Sequence, residues 1–458
     1  MNWLDRIAFL LILVVFVAMT MLYGGVHQPI LALFYISAAV LALLCAAGAW
    51  AKGLRVSKSL LQIPLLALGL YAILQVIPFA TTNDGGVNGI PRTISVDPFA
   101  TSIAAVQIFS LVVFFAAMLV SFNSAKRLRA LAAFIAIFGA AYAFFAILQS
   151  VLSPEMIYGI YKPATGGNPF GTFVNRNDYA AMMVMFSSLP LGMVFSGAVP
   201  GERKLLYLVA VALMATSLLL SQSRGGLVAF VAEVLFLVIV TSRGRGTKTV
   251  ALKVGLSALF LLTAIGGAVF VGGETSLMRF GRKDVAVEAP SETTSRFHIW
   301  SVTTRMIAHS LPFGVGVGAF PAVYPEYDTG SGFERVEQAH NDYLQLVSDA
   351  GLVGVVLGGL FIYALVRQAR TSVKVENGLR HGIAVGALAG IVAILVHSLF
   401  DFVLHITAVS LLFLMLVAML VASARNYQDD VPDFDEPRRN SRRRRSMPRQ
   451  NDFAQTEI

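Results

Sequence analysis

The sequence predicts an all-α integral membrane protein of about 12 transmembrane helices, with one large external loop that contains short helices. Composition is the first reason: of 458 residues 56% are hydrophobic and only 13% charged, too apolar for a domain that folds in water. The second is length, because apolar runs of roughly 17 to 25 residues recur along the chain and each spans a hydrocarbon core of about 30 Å as a helix. The third is pattern. The runs lack the period-two alternation of barrel strands, and lipid offers no hydrogen-bond partner to an open backbone.

The spans fall at roughly 7–24, 29–50, 60–80, 103–122, 130–151, 178–199, 205–221, 225–241, 254–272, 351–368, 382–400 and 403–424. They divide the chain into a polytopic membrane domain over 1–426, a large external loop within it over 273–350, and a disordered basic tail over 427–458. The first run is long and lacks a small-residue cleavage pattern ahead of another mature domain, so it is read as a retained span rather than a signal peptide.

Charge placement orients these spans. The net charge is +9, and most Lys and Arg residues sit in alternate short connections, among them Lys52, Arg55 and Lys58, then Lys126, Arg127 and Arg129, then Arg367, Arg370, Lys374 and Arg380, and in the tail. By the positive-inside rule both termini are cytoplasmic, and the basic balance is a topology signal rather than a nucleic-acid footprint. The tail, Arg438 to Arg445 after an acidic stretch, suits anionic inner-leaflet lipids or, alternatively, a cytoplasmic partner. The single cysteine, Cys45, cannot form an intrachain disulfide and reads as a small core residue.

A basic residue on the translocated side works against the topology bias and needs a reason. Before the sixth span, Asn175 can cap the coming helix, and Arg176 beside that helix N-terminus makes a place for phosphate; capping plus interfacial snorkelling is the plain alternative. The turn Ser221 to Gly226 is too short to lift Arg224 far from the membrane surface, where a cation usually has an anionic partner, or else snorkels to headgroups. Glu233, near the middle of the eighth span, is costly in lipid; a structural hydrogen bond is the preferred reading over a proton relay.

The long external loop holds the densest chemistry. Thr293 or Thr294 can cap a helix running to about His309, with Phe297, Trp300, Thr304 and Ile307 on one face and Arg296 in the first turn. Arg305, about 180° around, cannot face the same site. The glycine-spaced run Leu311 to Phe320 is a tight turn rather than a nucleotide loop, since no soluble parallel sheet accompanies it. From about Glu337 a second helix is expected, with His340 in its first turn. Its neutral imidazole can accept a proton near neutral pH, although a surface histidine is commonly just solvated. His397, Asp401 and His405 stand at metal-ligand spacing if one helix continues through them, but a turn at Asp401 favours a polar helix-end network.

Taken together, Gly171-Thr172-Phe173-Val174-Asn175-Arg176-Asn177, Ser223-Arg224-Gly225-Gly226, Ser295-Arg296-Phe297-His298-Ile299-Trp300, Pro312-Phe313-Gly314-Val315-Gly316 and Ala339-His340-Asn341-Asp342-Tyr343-Leu344 resemble, in order, the signature segments of the O-antigen ligase superfamily. The resemblance implies a GT-C-like membrane glycosyltransferase of the bacterial inner membrane with a periplasmic active site. It implies a metal-independent, inverting transfer that needs no cofactor. The donor would be a glycan on undecaprenyl diphosphate, and the acceptor lipid A-core or a growing polysaccharide. By motif match His340 would act on the acceptor hydroxyl, and Arg224, Arg296 and Arg176 would hold the donor diphosphate. Asn175, Asn341 and Trp300, in the same segments, would position substrate. Repeat-unit polymerase and protein O-oligosaccharyltransferase remain open within the family. From another class, a polysaccharide transporter or flippase would place its polar site near the midplane, where only Glu233 stands.

Overall fold

The computed structural model describes residues 3–425, apart from 54–56, 85–86, 164–167, 331–334 and most of 243–294. Its helices are α1 (Trp3–Met21), α2 (Gln28–Lys52), α3 (Gln62–Val76), α4 (Pro98–Ser121), α5 (Ala125–Leu152), α6 (Arg176–Ser196), α7 (Gly201–Leu220), α8 (Arg224–Ser242), α9 (Arg296–Ser310), α10 (Phe320–Tyr327), α11 (Asp342–Ser372), α12 (Gly378–His397) and α13 (Thr407–Ser423). Among the described residues nine helices are long and apolar enough to cross a membrane, and α3 and α13 are shorter apolar helices. These eleven stand where eleven of the twelve spans were expected. The twelfth, 254–272, falls almost wholly outside the described residues, as do the tail and much of the external loop.

Helix starts follow local chemistry. Asp97 accepts from the Ala100 N–H at 3.0 Å ahead of Pro98, Ser124 from the Arg127 N–H at 3.3 Å, and Asn377 from the Arg380 N–H at 3.1 Å, each satisfying a donor that has no intrahelical partner. One short hairpin interrupts the all-α expectation: β1 (Ala80–Asp84) pairs antiparallel with β2 (Val87–Arg92). Cys45 also departs from expectation. It lies on an exposed face of α2, as a small apolar residue can where lipid is the solvent.

The centre of the bundle is α6, α12 and α13. Over their most apolar windows α6 is 83% buried and α12 72%, against at most 44% for every other candidate span, and every residue of α13 is buried. A helix that is apolar on all sides belongs inside. In lipid, close approach replaces the hydrophobic effect as the packing force, and small residues permit it. A Cβ on Gly192 of α6 would lie 2.2 Å from the Cα of Gly386 of α12, and one on Gly390 would lie 2.4 Å from the Ser188 Oγ. Gly386→Val is therefore expected to cost about 1–3 kcal/mol through overpacking, read as a lower Tm of the detergent-solubilised protein. An unchanged Tm would mean that this contact is not made.

The outer connections then lock onto the bundle. The run after α9 is a turn: Val315 and Gly316 N–H groups donate to the carbonyls of Ser348 and Asp349 at 2.9 and 3.1 Å. Opposite, α11 kinks at Gly351 (φ 57°), where a Cβ would sit 2.2 Å from the Pro312 carbonyl oxygen. Only glycine combines that φ with that approach.

Candidate functional site

The N-terminal ends of α6, α8, α9 and α11 meet the C-terminal end of α12 at the segment 398–406, which leads into the buried α13. The chain turns there because α12 stops at His397 and the Phe400 N–H closes back on the His397 carbonyl at 2.8 Å. At the turn sits Asp401, its side chain 1% exposed. Its Oδ2 accepts from Arg296 Nη2 at 3.0 Å and from Asn177 Nδ2. Its Oδ1 meets His340 Nδ1 at 2.9 Å and accepts from the Phe402 N–H at 3.0 Å. The Ser223 hydroxyl donates to Asn177 Oδ1 at 2.7 Å. Four of the five signature segments thus join through one carboxylate. Burial alone would push the Asp401 carboxyl up, but the His340 hydrogen bond and the charges of His340 and Arg296 outweigh it and hold it below the ordinary carboxylate range. Asp401 is ionised at neutral pH.

The three arginines singled out from sequence share one local design. Arg176, Arg224 and Arg296 are the first residues of α6, α8 and α9. Each follows a residue that satisfies a first-turn N–H: Asn175 accepts from Asn177 N at 2.9 Å, Ser223 from Gly226 N at 3.1 Å and Ser295 from His298 N at 3.2 Å. The α9 cap is Ser295, not Thr293 or Thr294, which fall outside the described residues. A cation at a helix N-terminus opposes the macrodipole at a cost of about 0.3–1 kcal/mol. Three such placements together build a region of positive potential that an anion would relieve. Arg224 is exposed, Arg176 partly so, and the Arg296 side chain is 39% exposed beside Asp401.

His340 is not in the first turn of a helix that starts near Glu337. The helix starts at Asp342, because Asn341 takes the cap and accepts from the N–H groups of Tyr343 and Leu344 at 3.0 and 3.1 Å. His340 lies just outside it with φ 49°, a left-handed backbone that costs a non-glycine residue roughly 1–2 kcal/mol. This turn aims the ring at Asp401, edge-on against Phe402 with centroids 5.0 Å apart. Upstream, the Ala339 N–H is held by Gln345 Oε1 at 2.7 Å, and Gln345 is tied in turn to Asp349 at 2.9 Å. Nδ1 faces the carboxylate, and Nε2 lies on the other side of a ring whose side chain is 33% exposed.

The remaining expected residues divide. Asn341 spends its amide within the protein, donating to the Leu399 carbonyl at 3.1 Å while it caps α11, so it orients the His340 backbone. On α9 the packed face is Ile299, Val302, Thr303 and Met306, not the Phe297 to Ile307 stripe. Phe297 is 80% exposed and meets Trp300 edge-on at 5.7 Å, and the buried Trp300 Nε1 has no hydrogen-bond partner among the described residues. Glu233 is fully buried, with the Ser187 hydroxyl of α6 at 3.4 Å. A cavity of about 620 Å³ bounded by Lys58, Asn123, Gln368 and Arg425 lies at the opposite ends of α11 and α13 from this cluster.

Asp401, Asn177 and Ser223 were not among the expected site residues. The sequence signal for Asp401 is its place between His397 and His405, but neither histidine pairs with it, and His405 turns to another carboxylate. His405 Nδ1 meets Asp342 Oδ1 at 3.0 Å. Burial opposes charge on His405, yet the hydrogen bond and charge of Asp342, with Asp349, raise its pKa above the ordinary histidine value. Among the described residues no three potential metal ligands converge.

Residues 209–358 match the family model described as O-Antigen ligase. The matched stretch contains Arg224, Arg296, Trp300, His340 and Asn341, whereas Asn175, Arg176 and Asp401 lie outside it. No curated protein matches the chain.

Proposed function

We propose that this chain, a member of the O-antigen ligase and polymerase superfamily, transfers a glycan from undecaprenyl diphosphate to a hydroxyl of lipid A-core or of a growing polysaccharide at the periplasmic face of the inner membrane. The carrying observation is the convergence of three cap-arginine helix starts and one oriented histidine on the Asp401 network.

In the proposed step His340 Nε2 takes the proton of the acceptor hydroxyl. The acceptor oxygen bonds to the anomeric carbon from the side opposite the carrier, which inverts that centre. The bond from the anomeric carbon to the phosphate oxygen breaks, its electron pair leaving with undecaprenyl diphosphate, and His340 later releases its proton to water. A diphosphate is a good leaving group, so catalysis rests on fixed cations where charge accumulates. Arginine suits this because its planar fork pairs with phosphate oxygens and stays charged at any working pH. At an effective dielectric near 20 each contact is worth about 4 kcal/mol, enough for Arg224, Arg296 and Arg176 to do the work without a metal.

The same site would serve a polymerase if the acceptor were another repeat unit, or a protein oligosaccharyltransferase if it were a side-chain hydroxyl. Gene deletion followed by gel analysis of surface glycans separates these. Loss of all capping on lipid A-core indicates the ligase, a single added repeat the polymerase, and intact surface glycans with unmodified protein the third. Transport is disfavoured because the polar cluster gathers at helix ends, while Glu233 is satisfied by Ser187.

Arg224→Ala tests the donor contact. Loss of one charge-assisted phosphate contact of about 1.5–3 kcal/mol should lower kcat/KM for the lipid-linked donor roughly 10- to 100-fold in proteoliposomes, with Tm unchanged. A variant with wild-type donor kinetics would remove Arg224 from the site.

A further inference from the structure

We infer that His397 is a further donor-binding residue, its ring placed under the first turn of α8 to hydrogen-bond the diphosphate seated there. The inference rests on the transfer reading above. It starts from an unexplained cost. His397 is fully buried, and neither Nδ1 nor Nε2 has a hydrogen-bond partner among the described residues, although buried polar atoms are nearly always paired and each one left unpaired is destabilising. Its nearest carboxylate in sequence, Asp401, is already engaged by His340, Arg296 and Asn177. A histidine kept only for packing would be replaced by an apolar ring without that loss.

The position of the ring supplies the reason. His397 Nε2 lies 3.1 Å, and Cδ2 3.0 Å, from the point a Cβ on Gly225 would occupy. Gly225 is the second residue of a 19-residue helix, so its N–H is one of the four that have no partner inside the helix. The absence of a Gly225 side chain is what leaves room for the imidazole edge beside that first turn. Gly226 continues the same device, since a Cβ there would lie 2.6 Å from the Ala180 Cβ of α6. The glycine pair lets α8 begin pressed against α6 and α12, with His397 directly behind its opening turn. In this proposal a phosphate oxygen held by that turn and by Arg224 would meet the ring from the Gly225 side, where a neutral imidazole offers one N–H to it.

The test uses full-length protein in nanodiscs and undecaprenyl diphosphate as the probe, with His397→Leu, His397→Gln and Gly225→Ala. His397→Leu should weaken binding of undecaprenyl diphosphate about 10-fold but leave binding of undecaprenyl monophosphate within about 2-fold. His397→Gln, whose amide N–H can replace the ring donor, should recover to within about 3-fold of wild type. Gly225→Ala, which pushes the ring aside, should weaken binding even though His397 is intact. If His397→Leu lowers Tm, the His397→Gln and Gly225→Ala pair decides. Wild-type diphosphate binding in Gly225→Ala together with equal affinities in the two His397 variants overturns the inference. Should Arg224→Ala still bind undecaprenyl diphosphate weakly in that case, only His397 is excluded. Should Arg224→Ala also bind as wild type, the transfer reading fails with it.

Discussion

His340→Asn is expected to abolish glycan transfer while leaving the folded protein intact. Asparagine tolerates the left-handed backbone that His340 adopts (φ 49°), and its amide can still donate to Asp401, so the fold loses little. What disappears is the Nε2 lone pair, the only proton acceptor that this network orients away from Asp401. A positioned general base contributes typically about 10²–10⁴ in rate. The drop should appear in kcat, with donor KM and Tm near wild type, in proteoliposomes supplied with lipid-linked donor and acceptor. His340→Ala should be equally inactive. Transfer within about 3-fold of wild type in both variants would end the role proposed for this histidine.

What was legible in the sequence follows from which interactions are local. Spans are written in run length and composition, so eleven of the twelve appear where expected. The tenth span is expected to begin at 351, and α11 kinks at Gly351. The cap-arginine pairs Asn175-Arg176, Ser223-Arg224 and Ser295-Arg296 are equally local, although Thr293 and Thr294 are as good a cap for α9 as Ser295 on sequence alone. The hairpin over 80–92 carries a turn signal in Asn83-Asp84-Gly85-Gly86, a short polar feature between long apolar runs.

Asp401 was not legible as the hub, because its partners Asn177, Arg296 and His340 are 224, 105 and 61 residues away. Packing of α6 against α12 brings Asn177 to Asp401, and the starts of α9 and α11 bring Arg296 and His340. For His340 the residue was identified and its conformation was not. Competition between Glu337 and Asn341 for the start of α11 was settled by the asparagine, which satisfies two N–H groups at once. Cys45 shows a different limit: in lipid, apolar character does not distinguish inside from outside.

Asp401→Asn separates the two duties of that carboxylate. Asparagine keeps the shape and can accept from Arg296 or Asn177, but it removes the charge that holds the proton on His340 Nδ1. With the imidazole free to take the wrong tautomer or turn, kcat should fall about 10³- to 10⁴-fold, as happens when the orienting aspartate of a serine-protease triad is neutralised. Asp401→Ala should add a folding cost, because Arg296, Asn177 and His340 lose their common partner. Breaking a buried pair costs about 3–5 kcal/mol, here toward the low end since Arg296 and His340 are each about one-third exposed. The pH dependence gives an independent reading. The folded carboxyl lies below its unfolded value, so its contribution is whole above about pH 4 and is lost as the pH falls through the folded pKa. Wild-type Tm should therefore decline on the acid side of pH 4 more steeply than that of Asp401→Asn, in which this group no longer titrates. Parallel Tm curves would show that Asp401 gains no native-state charge stabilisation. Wild-type turnover in Asp401→Asn would show that His340 does not depend on it.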